Sequence, residues 1–106
     1  MITAVVNFKL PPHIKLADAA KLFDGSAPKY KGLAGLVRKY YLFDEANHIG
    51  GGVYLWESRA AADAVYTKEW RKMIADRYGA EPQISFFSTA VIVDNDIGKV
   101  TLVAAE

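Results

Sequence analysis

Residues 50–70 read GGGVYLWESRAAADAVYTKEW, and this run places two tryptophans and two tyrosines within 17 residues, 54–70. Ile49 to Trp56 is rich in β-branched and aromatic side chains, which suits a strand. Immediately upstream, residues 36–43, LVRKYYLF, have the same character, and the polar turn Asp44-Glu45-Ala46-Asn47-His48 separates the two. An antiparallel hairpin follows from that pattern. Downstream, Ser58 is placed to cap a helix, because its side-chain oxygen can accept from an unpaired N–H of the first turn, and the alanine-rich run after it favours helix. This second helix is expected to reach about Tyr78, with Gly79 as a left-handed terminator. Its apolar stripe is Ala62, Tyr66, Trp70, Met73 and Ile74, while Asp63, Lys68, Arg71 and Lys72 point elsewhere.

The flanks complete the order. Residues 2–9 form a short first strand that stops at Leu10-Pro11-Pro12, where proline cannot donate to a ladder. Leu16, Ala19, Ala20, Leu22 and Phe23 have helical spacing up to Gly25, and Pro28 obstructs continuation, so the first helix is short. Residues 83–93 read as one long last strand, followed by the turn Asp94-Asn95-Asp96-Ile97-Gly98 and a weaker strand at 99–103. The order βαββαβ predicts an α+β fold, a ferredoxin-like sandwich whose antiparallel sheet carries both helices on one face.

The 106 residues suit one domain, with a core at about 2–95 and a strand-like tail at 96–106. A net charge of +1 with no basic tract gives no nucleic-acid footprint, and the absence of cysteine removes any dependence on an oxidising compartment. The N-terminus lacks the basic and long apolar regions of a signal peptide, and no apolar run approaches the roughly 20 residues of a membrane helix, so a cytoplasmic location away from membranes is the expectation.

The strands are apolar on both parities. Val37, Tyr41 and Phe43 alternate with Leu36, Tyr40 and Leu42, and Val53 and Leu55 alternate with Tyr54 and Trp56, so the helix-free face also needs a cover. Four strands about 20 Å long and about 4.8 Å apart present roughly 400 Å². At about 25 cal/mol/Å² that is on the order of 10 kcal/mol per subunit, comparable with an association cost of about 4–15 kcal/mol. A sheet-to-sheet homodimer is the simplest symmetric solution, with the tail reaching the partner.

The segments GLAGLVRKYYLFDE, GGGVYLWESRAAADAVYTKEW and RYGAEPQISFFSTAVIVDN resemble the dimeric α+β barrel proteins. Within them the chain is similar to the small monooxygenases of the YdhR type, which are like those of antibiotic biosynthesis. The resemblance covers about residues 2–95. It rests on Gly35-Leu36 with Arg38-Lys39-Tyr40-Tyr41, on Gly51-Gly52-Val53-Tyr54-Leu55-Trp56, and on the Trp-Arg and Tyr-Gly pairs that open and close the end of the second helix. Ala34 stands where the family usually has proline. The resemblance implies a homodimer with a pocket in each subunit between helices and sheet, and oxygenation of a small phenol- or quinol-like aromatic by O2 without a cofactor. Asn7 and Trp70 would then hold a substrate oxygen or reduced oxygen as charge develops, and Tyr54, Tyr66 or His13 would relay a proton. A haem-degrading branch needs a histidine on the second helix, and none lies between Ser58 and Tyr78.

On that reading Tyr54, Trp56, Tyr66, Trp70 and Met73 form pocket walls, His13 borders the mouth, and Gly52 lets a ligand or helix approach the sheet. A plainer reading stands beside it for each residue. Aromatics at these spacings also make ordinary cores, strand glycines also mark bulges, and Asn7 can bond a neighbouring backbone instead. Arg38 and Lys39 alternate across their strand and are read as solvated. No zinc spacing, nucleophile elbow or phosphate loop occurs, and no metal is implied. The alternative function is a dimeric barrel that binds a small ligand without turnover. An RNA-recognition domain shares the strand order, but strand one offers only Phe8 and the basic footprint is missing.

Overall fold

The computed structural model describes residues 1–103. Strand β1 is Ile2–Lys9, helix α1 is Leu16–Ser26 and runs into a 3₁₀ turn at Ala27–Lys29, and β2 (Leu36–Asp44) and β3 (Ile49–Trp56) form the expected hairpin. Two helices follow, α2 (Arg59–Val65) and α3 (Lys68–Tyr78), before β4 (Gln83–Ser88), β5 (Val91–Asp94) and β6 (Lys99–Leu102). The main sheet is antiparallel in the order β2-β3-β1-β4. This is the ferredoxin-like α+β sandwich.

Alternation decides what faces the helices. Ile2, Ala4, Val6 and Phe8 of β1 are buried, and their β3 partners are Trp56, Tyr54, Gly52 and Gly50. These residues meet Ala19 and Phe23 of α1, Ala62 of α2, and Trp70, Ile74 and Tyr78 of α3 in one core. Gly51 is dictated by backbone proximity, since a Cβ there would collide with the Val6 carbonyl.

The second helix differs from its sequence expectation by a break. Tyr66 leaves helical geometry at φ −80°, ψ 55°, and Thr67 starts a new helix, its hydroxyl accepting from the Trp70 N–H at 3.1 Å. Threonine satisfies an orphan donor in the way Ser58 does for Ala61 in α2. The break keeps Tyr66 and Trp70 both buried, and Gly79 ends α3 at φ 90° as expected.

The last strand is also divided. Residues 83–93 do not form one strand: β4 stops at Ser88, the Thr89 hydroxyl bonds the Thr3 hydroxyl at 2.7 Å, and β5 pairs with β6 as a separate hairpin. Asp94, at the end of β5, then pairs with Arg38 of β2 at 3.3 Å. Because β4 and β2 are opposite edges, the hairpin crosses the sheet, and its anchors Thr3 and Arg38 both belong to the helix-free face. Val91, Val93, Ile97, Val100 and Leu102 nevertheless remain exposed, as do Tyr40, Leu42 and Phe87 on the sheet. Residues 104–106 of the expected tail lie outside the described residues.

Candidate active site

A β-bulge sets the site. Leu36 pairs with Trp56, but the next pair is Arg38 with Leu55, so Val37 is the extra residue. Without it, Lys39 would fall on the face opposite to Leu36; with it, Lys39 pairs with Tyr54 and turns toward the helices together with Tyr41 and Phe43. Gly52 contributes the room, since a Cβ there would lie 3.3 Å from Lys39 Cε.

The space so reached is a pocket of about 680 Å³ between α1, α3 and the sheet. That volume suits a small organic ligand. Its inner wall is Phe8, Tyr30, Tyr41, Tyr54 and Tyr78, and Met73 and Ile74 of α3 close the opposite side. Charged groups gather toward α3 and the 3₁₀ turn: Lys29, Lys72 and Arg77 against Glu69 and Asp76. Lys72 is bound by Asp76 at 2.9 Å, and Arg77 donates to the Leu22 carbonyl at 2.7 Å.

Two indoles lock the tyrosines. Trp70 Nε1 donates to the Tyr30 hydroxyl at 3.0 Å, and Trp56 Nε1 donates to the Tyr66 hydroxyl at 3.1 Å. Burial raises the Tyr30 hydroxyl above its ordinary value, against the opposing pull of the Trp70 and Tyr54 hydrogen bonds. Burial also raises Tyr54 and Tyr66 strongly, so these phenols are held protonated as donors. Tyr41 is raised by burial too, and shares a 2.6 Å hydrogen bond with the Ser26 hydroxyl.

Lys39 is the exceptional group. Its amine lies 3.5 Å from the ring centroid of Tyr30, 3.7 Å from Tyr41 and 4.5 Å from Tyr54, and no carboxylate pairs with it among the described residues. Burial, reinforced by nearby Lys29, lowers the amine from 10.5 to about 7. The ring faces act in the opposite sense, favouring ammonium. A lysine so placed can change protonation near neutral pH.

The residues singled out in the sequence divide into three groups. Tyr54 and Met73 line the pocket. Trp56, Tyr66 and Trp70 are buried behind it, and Gly52 faces it across Lys39, so their contribution passes through neighbours. Asn7 and His13 do not enter it. Asn7 is exposed on the parity of β1 that faces away from the helices, opposite Gly51 and Gln83, and His13 is exposed in the loop after the prolines. Asn7 and Trp70 therefore lie on opposite faces of the sheet.

Tyr30, Tyr41 and Lys39 are among the pocket residues that sequence reading passed over. Lys39 carries a legible signal: adjacent strand residues face opposite sides, so Arg38 and Lys39 cannot both lie on one face. One of the pair had to turn toward the helices.

No protein-family model matches the chain, and no curated protein is similar to it in sequence. Solved structures are similar. A cofactor-independent oxygenase, SnoaB from Streptomyces nogalater, superposes with a TM-score of 0.58 at 17% identity over 83% of this chain and 91% of its own. An antibiotic biosynthesis monooxygenase gives 0.62 at 13% identity over 84% and 98%. A Deinococcus radiodurans protein provisionally assigned to the same activity gives 0.64 at 11% identity over 89% and 97%. The chain thus shares the ferredoxin-like α+β fold of these solved monooxygenase structures. At these identities the likeness is one of fold.

Proposed function

We propose that the chain is a cofactor-independent monooxygenase of a small phenol- or quinol-like aromatic, akin to the YdhR type, and works as a homodimer. The observation that carries this reading is the 680 Å³ pocket walled by tyrosine rings, in which the Tyr30 hydroxyl is fixed by the Trp70 indole. Flat ring walls suit an aromatic substrate, and they exclude water from its reacting carbon. The fold shared with a cofactor-independent oxygenase supports the same choice.

In such chemistry the substrate supplies the electrons. A phenolate or enolate passes an electron to O2, one oxygen atom enters the activated carbon as a carbonyl, and the other leaves as water with that carbon's hydrogen and the proton released when the substrate ionised. The protein's part is to orient the ring, to stabilise the anion and to donate protons. Tyr54 and Tyr30, held protonated at the pocket wall, are the donors.

The homodimer reading rests on the apolar helix-free side, where Tyr40, Leu42 and Phe87 remain exposed together with the β5–β6 hairpin. An exposed patch of this kind is unusual on a monomer. The test of the reaction is oxygen uptake by metal- and flavin-free protein with a dihydroxylated polycyclic aromatic. Uptake matched by loss of the aromatic is expected; tight binding with uptake at the buffer rate would make the protein a ligand-binding barrel instead.

A further inference from the structure

Lys39 is a cation on an inward-facing strand position, reached through a bulge and accommodated by a glycine on the neighbouring strand. Two backbone features, the bulge and the glycine, thus converge on one amine. Desolvating an amine without a carboxylate is costly, so a lysine held this way is poorly explained by stability alone. Lys39 lines the pocket beside Tyr30, Tyr41 and Tyr54, and on its other side it borders a smaller surface hollow with Ala27, Gly32 and Leu36.

We propose that the Lys39 amine takes the proton from an acidic hydroxyl of the bound substrate and then, as ammonium, holds the phenolate or enolate against the tyrosine wall. The inference rests on the aromatic-pocket reading and narrows it to substrates that are weak oxygen acids. The step balances: neutral amine and neutral hydroxyl become ammonium and oxyanion, and the oxyanion is the electron-rich form that oxygen requires. Lysine suits this role because its amine changes charge where an arginine would not.

The surrounding charges act consistently. Lys29, from the 3₁₀ turn, disfavours a second cation and so favours the amine before substrate arrives. Tyr30, Tyr41 and Tyr54 face the amine from the segment after that turn, from β2 and from β3. From α3, Glu69, Lys72, Asp76 and Arg77 border the same pocket, with Lys72 and Asp76 paired to each other. The oxyanion formed in the pocket meets Lys29 and the Lys39 ammonium, neither of which has a carboxylate partner among the described residues.

The test uses 4-nitrophenol, whose visible absorbance reports its ionised form. Bound to the wild-type protein, its ionisation midpoint is expected to fall by about 1–3 units below that of the free phenol, and Lys39→Met is expected to return it to the free value or above. A bound phenol with the same midpoint in both proteins overturns the proposal alone. A wild-type protein that binds no phenol overturns it together with the aromatic-pocket reading. A second measurement needs no variant: the pH dependence of acylation of each lysine in the wild-type protein, read by mass spectrometry. Lys39 is expected to reach half-maximal reactivity near pH 7, roughly three units below an ordinary lysine. The same high midpoint as the surface lysines overturns the proposal.

Discussion

The Trp70 indole and the Tyr30 hydroxyl, 3.0 Å apart, tie α3 to the segment that follows α1 across the back of the pocket. Both residues are only 7% exposed, so neither group has water as a ready substitute partner. Trp70→Phe is expected to cost about 1–3 kcal/mol in urea unfolding, because a buried hydroxyl loses its donor. Its effect on turnover acts through Tyr30. Tyr30→Phe, which removes a donor at the pocket wall itself, is expected to lower kcat by about 10²-fold in oxygen uptake, and Trp70→Phe by less. Asn7→Ala, on the other face, is expected to leave kcat unchanged.

Gly25 and Gly51 should respond to alanine with opposite signs. In α1 a Cβ at Gly25 would meet only the end of the Arg77 side chain, at 3.4 Å, and removing a helical glycine gains about 0.5–1 kcal/mol. At Gly51 the new Cβ would collide with the Val6 carbonyl, which cannot yield without moving β1. Gly51→Ala is therefore expected to destabilise by at least about 1–3 kcal/mol in the same urea measurement.

Lys39 gives stability a defined pH dependence. With the folded-state value near 7 and the ordinary value at 10.5, the unfolded chain binds more protons between these limits. Stability contributed at this position therefore rises with pH across that window and is lowest below it. Lys39→Met is expected to be more stable than wild type at pH 6, with the difference shrinking toward pH 10. Thermal unfolding of both proteins at several pH values checks this, and a constant difference would assign Lys39 an unshifted amine.

Leu42 and Tyr40 are exposed on the helix-free face of an edge strand, 40% and 57% respectively. If that face joins two copies, light scattering should give twice the chain mass of 11.7 kDa, and Leu42→Asp should return the protein to a monomer. A wild-type monomer at micromolar concentration contradicts the homodimer.

Much of this fold was legible because its signals are local. The hairpin of β2 and β3 announced itself by two aromatic runs around a polar turn, and Ser58 and Gly79 marked helix ends by their own chemistry. The aromatic run that begins at Gly50 was legible as a packed unit, and Trp56, Tyr66 and Trp70 do meet in the core. What escaped depended on partners remote in sequence. Thr67 breaks the helix where helical spacing continued undisturbed, because a cap and a regular interior place the same apolar residues on one face. The division at Thr89 follows from its hydroxyl bond to Thr3, 86 residues away. That one of Arg38 and Lys39 faces the helices was legible, but which one was hidden by the bulge at Val37, since a one-residue shift reverses which side every later residue faces.

Met73 offers the most direct test of the pocket as the seat of the reaction, because it lines the wall on α3 without serving as a proton donor. Oxygen uptake should be followed with a dihydroxylated polycyclic aromatic in wild-type protein and in Met73→Trp, whose larger side chain occupies the substrate's space, with folding of both checked by urea unfolding. Wild-type protein is expected to consume oxygen as the aromatic disappears, and the folded variant to fall to the buffer rate. Equal uptake by the two proteins, or none above buffer in the wild type, would contradict oxygenation in this pocket.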